Sequence, residues 1–273
     1  MKHLLAQSKF TAVKNALLAL TLVVLSFGCA KYKAIPLESL EEQDKMAQDE
    51  PIEEPVVQEP FDPILEEPAE EEEEEPVVVE EPAFVPEPLA WESASKPFRA
   101  EWSKYAMKIV TEEYAKFDRV QDATLFCPRF NSLTVPQKIN FWGQLIAGMS
   151  YYESGWSPVS RMQETTMGTD PVTGKPVYSE GLLQLSYQDT QWARYCEFDW
   201  SKDKFLSPTD PKKTILDPYK NLRCGIKILA AQVNRKKEIA LKTGVYWAVI
   251  REGGKYTKIP QITTIVKKLT FCK

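Results

Sequence analysis

The sequence contains a single histidine, His3, among its 273 residues. We expect His3 to be removed with an N-terminal export signal, which leaves the mature chain without an imidazole. This absence excludes Ser-His-Asp and Cys-His catalysis and removes histidine as a metal ligand. Acid–base chemistry is then left to Asp, Glu, Lys, Tyr or Cys. The cysteines show no Cys-x-x-Cys spacing, so we expect no metal site.

Glycine is absent from residues 36–97, which contain 11 of the 20 prolines. The net charge of −5 also hides three different segments, since residues 1–29 carry +3, residues 30–96 carry −18 and residues 97–273 carry +10. With an asymmetry of this size, no average over the chain describes any of its parts.

Lysines precede an apolar run over residues 16–25. A charged stretch before an apolar stretch too short to span a bilayer comfortably is typical of an export signal. The run ends in Ser26–Cys29, which resembles a bacterial lipobox, in which the cysteine is lipidated and becomes the N-terminus. We predict a signal peptide over residues 1–28 and a lipid anchor at Cys29, hence an exported protein of the periplasm or cell envelope, held at a membrane. Secretion without a lipid and an uncleaved anchor are the alternatives.

Residues 29–97 are predicted to form an acidic Pro/Glu-rich linker behind the lipidated cysteine. The run from Glu70 to Glu75 is unbroken, and Glu-Pro units recur throughout. Such a composition cannot bury enough apolar surface to offset chain entropy, so we expect disorder and an extended chain. The segment is then a tether towards the cell wall, an inert spacer, or an acidic strip that folds back on the basic domain.

Four cysteines remain if Cys29 carries the lipid, an even number that suits disulfides in an oxidising compartment. Three pairings are possible. We favour Cys196–Cys224, which would join two predicted helices, and Cys127–Cys272, which would fix the C-terminus to the loop before the central helix. Four buried free thiols are the alternative.

Residues 98–273 have the size of one domain. Apolar residues recur at helical spacing over residues 101–117, 218–233 and 258–271, and Asp217-Pro218 is a helix start. Turn residues over 170–176, flanked by short extended runs, predict a small hairpin. The predicted class is therefore α+β, mainly α.

Residues 139–152 contain no charge, and their apolar residues form one helical stripe. Glu153 is the first charge after this run, and it continues the stripe that faces the core, while Gly155 can end the helix. A carboxyl there loses hydration, so its pKa should rise and it can hold a proton near neutral pH. A glutamate turned outward to solvent is the alternative.

Residues 153–158 read Glu-Ser-Gly-Trp-Ser-Pro, and residues 181–186 read Gly-Leu-Leu-Gln-Leu-Ser. This ordered pair resembles the lysozyme-like superfamily, specifically soluble-type lytic transglycosylases and goose-type lysozymes, and the similarity extends over residues 135–256. The resemblance implies a lysozyme-like fold and cleavage of the β-1,4 bond between N-acetylmuramic acid and N-acetylglucosamine in peptidoglycan. Glu153 matches the catalytic acid, and the cleft would include Ser154, Gly181 and Gln184.

Two departures from the family pattern concern the rest of the site. The late family motif Ala-Tyr-Asn-Ala-Gly corresponds to residues 249–253, which lack the tyrosine, so that Tyr246, Tyr151 or Tyr152 would replace it. Animal-type lysozymes keep an aspartate at the position of Ser179. The candidates for the second catalytic group are therefore Ser179, Asp170 and Glu180, although a strand over residues 178–182 would turn Glu180 away from Ser179.

We therefore expect a monomeric muramidase, either a lytic transglycosylase or a lysozyme, with Glu153 as general acid/base. Its partners would be peptidoglycan and, through Cys29, a lipid bilayer, without nucleic acid and without a cofactor. Since only one carboxylate is clear, the anhydro product of a transglycosylase is favoured over the hydrolysed one. The alternative is a lipoprotein that binds peptidoglycan or has a structural role and keeps the fold without activity.

Overall fold

A computed structural model describes residues 84–273. The predicted signal peptide, the lipidation site at Cys29 and the linker up to residue 83 lie outside the described residues. Within residues 84–273, no helix has both the length and the apolar character needed to cross a membrane.

The described chain is mainly helical and contains one two-stranded antiparallel sheet, which agrees with the predicted class. Short 3₁₀ helices connect the main elements. The helices are α1 (Arg99–Glu112), α2 (Tyr114–Phe117), α3 (Val135–Ser154), α4 (Trp200–Asp203), α5 (Pro218–Lys236) and α6 (Ile259–Val266), and the strands are β1 (Arg161–Gln163) and β2 (Tyr178–Glu180).

Helix α3 is the central element, and α1 and α6 pack against it while α5 packs against α1. It begins with a capping box between Thr134 and Gln137 and ends at Gly155, whose φ of 61° is left-handed. Its residues 140–150 are all buried, which explains why the sequence excludes charge from this stretch. The helix therefore carries Glu153 to a fixed place at its C-terminal end.

The hairpin pairs Met162 with Ser179, and Arg161 with Glu180. The sequence predicted the hairpin and its turn, but not that the first strand lies as far back as residues 161–163, because this is a run of only three with no apolar alternation. In this register Met162 and Ser179 share one face, and Arg161 and Glu180 share the other. The expected separation of Ser179 from Glu180 is thus observed.

Residues 84–97, assigned to the linker by composition, pack on the domain. Leu89 and Trp91 are fully buried, and the Trp91 indole donates a hydrogen bond of 2.8 Å to Ser103 Oγ. The backbone of Ala90 donates to the Gln144 side chain at 2.8 Å, so this segment is attached to α3. The sequence predicts a linker here because the apolar residues are spaced among prolines and show no helical or strand period.

Three other elements differ from the sequence expectation. The first helix breaks at Glu113, whose buried carboxylate pairs with Lys227 at 2.9 Å. The last helix ends at Val266 and is followed by a 3₁₀ turn. Cys196 lies in an irregular stretch between a 3₁₀ helix and α4 rather than on a helix.

The predicted disulfides are both present. Cys127 joins Cys272 across a sequence separation of 145, and Cys196 joins Cys224 across 28. Two buried disulfides indicate an oxidising, exported environment.

Replacing Cys127 and Cys272 together by Ser should lower the free energy of unfolding by about 2–5 kcal/mol. The disulfide closes a long loop and so limits the conformations open to the unfolded chain, and this limit is lost in the variant. Chemical denaturation of the double variant measures this. The matched double variant of Cys196 and Cys224 should lose less, because its loop is shorter. Equal stability of wild type and the first variant would contradict the expectation.

Candidate active site

Glu153 lies in the last turn of α3 with its carboxyl turned inward. Part of the side chain reaches the surface, but its Oε1 atom is buried and has no hydrogen-bond partner among the described residues. Burial, and to a smaller extent the negative charge of Glu164, raises the pKa of Glu153 to about 8. A carboxyl group in this state holds its proton at neutral pH and can donate it.

Glu164 is a second carboxylate whose charge acts on Glu153, and no sequence pattern pointed to it. It follows β1, and its backbone N–H donates to the Val177 carbonyl at 2.9 Å, which extends the hairpin by one pair. Period two places Glu164 on the same face as Met162 and Ser179. The Ser179 hydroxyl donates to Glu164 Oε1 at 2.6 Å, so Ser179 orients this carboxylate rather than replacing it.

A turn over residues 181–184 fastens the end of α3 to the hairpin. The Leu182 carbonyl accepts hydrogen bonds from Ser150 Oγ at 3.1 Å and from Ser154 Oγ at 2.9 Å. The hydroxyl of Ser154, predicted to bind substrate, is therefore used inside the protein. It holds the residue next to Glu153 in place.

Gly181 is required by its surroundings. Its φ is 82°, and an added Cβ would lie 2.2 Å from Asn221 Nδ2. The Asn221 side chain donates to the carbonyls of Glu180 and Ile215 and accepts from the Leu183 N–H. A buried amide of α5 thus sets the path of the chain between β2 and Gln184.

Two non-glycine residues, one in the motif over residues 153–158 and one in that over residues 181–186, have left-handed backbones. Trp156 has φ 61° and Gln184 has φ 49°, conformations that cost energy for residues with a Cβ. Trp156 is held by a hydrogen bond from its indole to the Ala147 carbonyl at 2.8 Å, and Gln184 by one from its amide to the Gly181 carbonyl at 2.8 Å. Residues with strained backbone angles cluster at functional sites, where contacts with the surrounding structure hold them in that conformation.

Tyr246, one of the three tyrosines that the sequence offers, lies within range of the charges of Glu153 and Glu164. Its hydroxyl donates to Asp189 Oδ2 at 2.6 Å. The pKa of Tyr246 is raised well above its ordinary value, first by burial and then by Asp189, with smaller contributions from Glu153 and Glu164. The phenol is therefore within electrostatic range of both glutamates.

Tyr151 and Tyr152, the other candidate tyrosines, contact each other edge to face with ring centroids 5.0 Å apart. Tyr151 also packs on Trp156 at 4.7 Å and is 44% exposed. Trp192 is 51% exposed, and its ring centroid lies 6.2 Å from that of Tyr246. Exposed aromatic faces of this kind suit stacking on sugar rings.

Asp170 and Glu180 are committed to other partners. The Asp170 carboxylate accepts backbone N–H groups of residues 172, 173 and 188, so it stabilises the hairpin turn. Glu180 is buried on the far face of the hairpin, where it is paired with Lys213 and lies 3.5 Å from Arg161 Nε. A cavity of about 70 Å³ on that face belongs to this ion pair and not to Glu153.

The alternation of side chains along a strand would have identified Glu164 if β1 had been recognised as the partner of β2. The spacing from Met162 to Glu164 is two, and Met162 lies opposite Ser179. Asp189 carried no sequence signal, because it lies 57 positions from Tyr246 and only the fold brings them together.

No protein-family model and no curated protein matches the chain. Among solved structures it is similar to wild-type Bd0314 DslA, a Bdellovibrio protein, at 30% identity with a TM-score of 0.52, covering 64% of this chain and 92% of that one. Two variants of Bd0314 DslA, each with one Glu replaced by Gln, match at 29% and 28% identity with TM-scores of 0.52 and 0.53, covering 92% and 95% of their chains and 64% and 67% of this one. The two replaced glutamates are eleven positions apart. The chain belongs to the family of Bd0314 DslA.

The raised pKa of Glu153 predicts a particular dependence of stability on pH. The unfolded chain releases this proton near pH 4.5 and the folded chain near pH 8, so the folded state binds more protons between these values and stability should fall as pH rises through that window. Glu153→Gln should remove this loss and raise the melting temperature at pH 8 by on the order of 5 °C relative to wild type.

Melting curves of both proteins from pH 4 to 9 measure the effect. The exposed Glu252 offers a matched control, and Glu252→Gln should follow the wild-type curve. A wild-type curve parallel to that of Glu153→Gln across the window would show that Glu153 ionises normally.

Proposed function

We propose that the chain hydrolyses the glycan strands of peptidoglycan at the β-1,4 bond between N-acetylmuramic acid and N-acetylglucosamine. The observation that carries this proposal is the pair formed by Glu153, whose buried carboxyl keeps its proton at neutral pH, and Glu164, which lies within electrostatic range. Two carboxyl groups in different environments are the arrangement that glycoside hydrolysis requires.

Glu153 donates its proton to the glycosidic oxygen, which leaves as the 4-hydroxyl of N-acetylglucosamine. Glu164 accepts a proton from a water molecule whose oxygen bonds to the anomeric carbon of N-acetylmuramic acid. Ser179 keeps Glu164 oriented through the hydrogen bond of 2.6 Å. Solvent exchange then returns the proton to Glu153 and removes it from Glu164.

The family relationship supports the choice of Glu164. Glu153 and Glu164 are eleven positions apart, the same spacing as the two glutamates replaced in Bd0314 DslA. The sequence favoured an anhydro product because it offered only one clear catalytic carboxylate. Glu164 is a second candidate that could activate water, so this argument for the anhydro product no longer applies. The basic charge of residues 97–273 would attract an anionic wall polymer.

We further propose that Cys29 is lipidated and that the acidic linker carries the domain from a membrane to the wall. The two disulfides support export. Metabolic labelling with a fatty acid tests the anchor, and it should be lost in Cys29→Ala.

Glu153→Gln and Glu164→Gln should each reduce the rate of peptidoglycan digestion by ~10²–10⁴-fold, since each removes one of the two proton-transfer groups. Release of soluble muropeptides from purified sacculi measures the rate, and Glu252→Gln should digest them like wild type. Tight binding of sacculi by wild type without any release would instead favour a non-catalytic wall-binding protein. Full activity in Glu164→Gln alone would sink the role of the second carboxylate.

The products should carry reducing-end N-acetylmuramic acid, because Glu164 can activate water. Mass spectrometry of the digest decides this, since the anhydro product of a transglycosylase is lighter by one water. A digest containing only anhydro ends would reject hydrolysis while leaving the role of Glu153 intact.

A further inference from the structure

The hydroxyl of Tyr246 has one hydrogen, and that hydrogen is donated to Asp189. A phenol offers one donor and two acceptor positions, so a hydroxyl bound in this way presents only lone pairs to other neighbours. The O···O distance of 2.6 Å indicates a strong bond to the carboxylate.

Asp189 is itself fixed. It lies in the 3₁₀ helix Tyr187–Gln191, and its Oδ2 atom accepts the backbone N–H of Ser186 at 2.8 Å, which caps that helix. The side chain is 2% exposed. Because the backbone holds the acceptor in place, the direction of the Tyr246 O–H bond is fixed as well.

Glu153 is linked to this pair through the turn over residues 181–184. Trp247, next to Tyr246, donates its indole N–H to the Leu183 carbonyl at 2.8 Å. Ser154, next to Glu153, donates to the Leu182 carbonyl at 2.9 Å.

The charges of Glu153 and Glu164 both act on Tyr246, yet Glu153 Oε1 has no partner among the described residues. A phenolic O–H that donated to Glu153 would stabilise the ionised form and make Glu153 a poorer proton donor. The bond to Asp189 prevents this.

We propose that Asp189 is a positioning residue of the active site, which holds the hydroxyl hydrogen of Tyr246 away from Glu153. Glu153 thereby keeps its proton for the glycosidic oxygen, and Tyr246 accepts a hydrogen bond from an N–H or O–H group of the sugar. The inference rests on the proposed function of Glu153 and deepens it. Asp189 acts only through Tyr246.

Several titratable groups surround the pair and must be considered in any test. Glu153 faces it from α3 and Glu164 from the hairpin, while Asp170 and Tyr195 are coupled to Asp189 through their charges. These four groups are present in every Asp189 and Tyr246 variant, so the variants differ only at the pair.

Four variants of the full-length protein test the proposal: Asp189→Ala, Asp189→Asn, Tyr246→Phe and the double variant Asp189→Ala with Tyr246→Phe. Asp189→Ala frees the hydroxyl, so the alkaline limb of the kcat/KM profile should move about one unit to lower pH, a roughly tenfold loss on that limb. Asp189→Asn keeps an acceptor oxygen and should retain more activity than Asp189→Ala. In the Tyr246→Phe background, Asp189→Ala should cost nothing further.

A second readout does not depend on turnover. Titration of glutamate side-chain carboxyls by ¹³C NMR, with the Glu153 resonance assigned through Glu153→Gln, should show a lower pKa of Glu153 in Asp189→Ala and an unchanged one in Tyr246→Phe. A raised pKa of Glu153 in Tyr246→Phe would mean that the hydroxyl donates to Glu153 in the wild type, and would overturn the proposal even if Asp189→Ala fails to fold.

The remaining outcomes separate the two proposals. If Asp189→Ala lowers kcat/KM by the same factor in the Tyr246→Phe variant as in the wild type, Asp189 acts only as a helix cap. That result would overturn the inference. If the Glu153 resonance responds as expected but wild type releases no muropeptides, the proposed function fails while the role of Asp189 in setting the protonation of Glu153 stands.

Discussion

The arrangement of the site depends on one hydrogen-bond acceptor, the carbonyl oxygen of Leu182. It accepts the hydroxyls of Ser150 and Ser154 from the central helix, while the next residue is held by the amide of Asn221 from α5. Two helices and the hairpin therefore meet at one turn, and that turn leaves no room for a side chain at Gly181. The position of Glu153 relative to the hairpin follows from these bonds.

The chemistry of the site results from a difference between environments rather than from unusual residues. Glu153 Oε1 is buried and has no hydrogen-bond partner among residues 84–273, whereas Glu164 has a hydroxyl donor and Asp189 has a backbone amide and a phenol. Burial raises the pKa of Asp189 only to about 6, because its hydrogen bonds oppose the effect, while that of Glu153 reaches about 8. Hydrogen bonds decide which acid keeps its proton.

The sequence predicted those features that depend on local pattern. The central helix, the start of α5 and the raised pKa of Glu153 follow from spacing and capping, and the disulfide pairing from reasoning about which elements lie close. It did not predict β1, Glu164 or Asp189, because a three-residue strand has no measurable period and contacts across the fold have no local signature. Asp170 and Glu180 were plausible as acids, but only the structure shows that their oxygens are already bound.

The segment that precedes α1 gives the domain a mechanical property. Phe84 packs on Phe271, and Glu87 binds the Thr270 backbone, next to the disulfide of Cys272. A force applied to the preceding chain would thus act first on these contacts, which are held by the disulfide. Gln144, where this segment bonds to α3, lies about 13 Å along the helix from Glu153. A force applied to the chain before residue 84 would therefore reach the middle of α3 before it reached Glu153 at the C-terminal end of that helix.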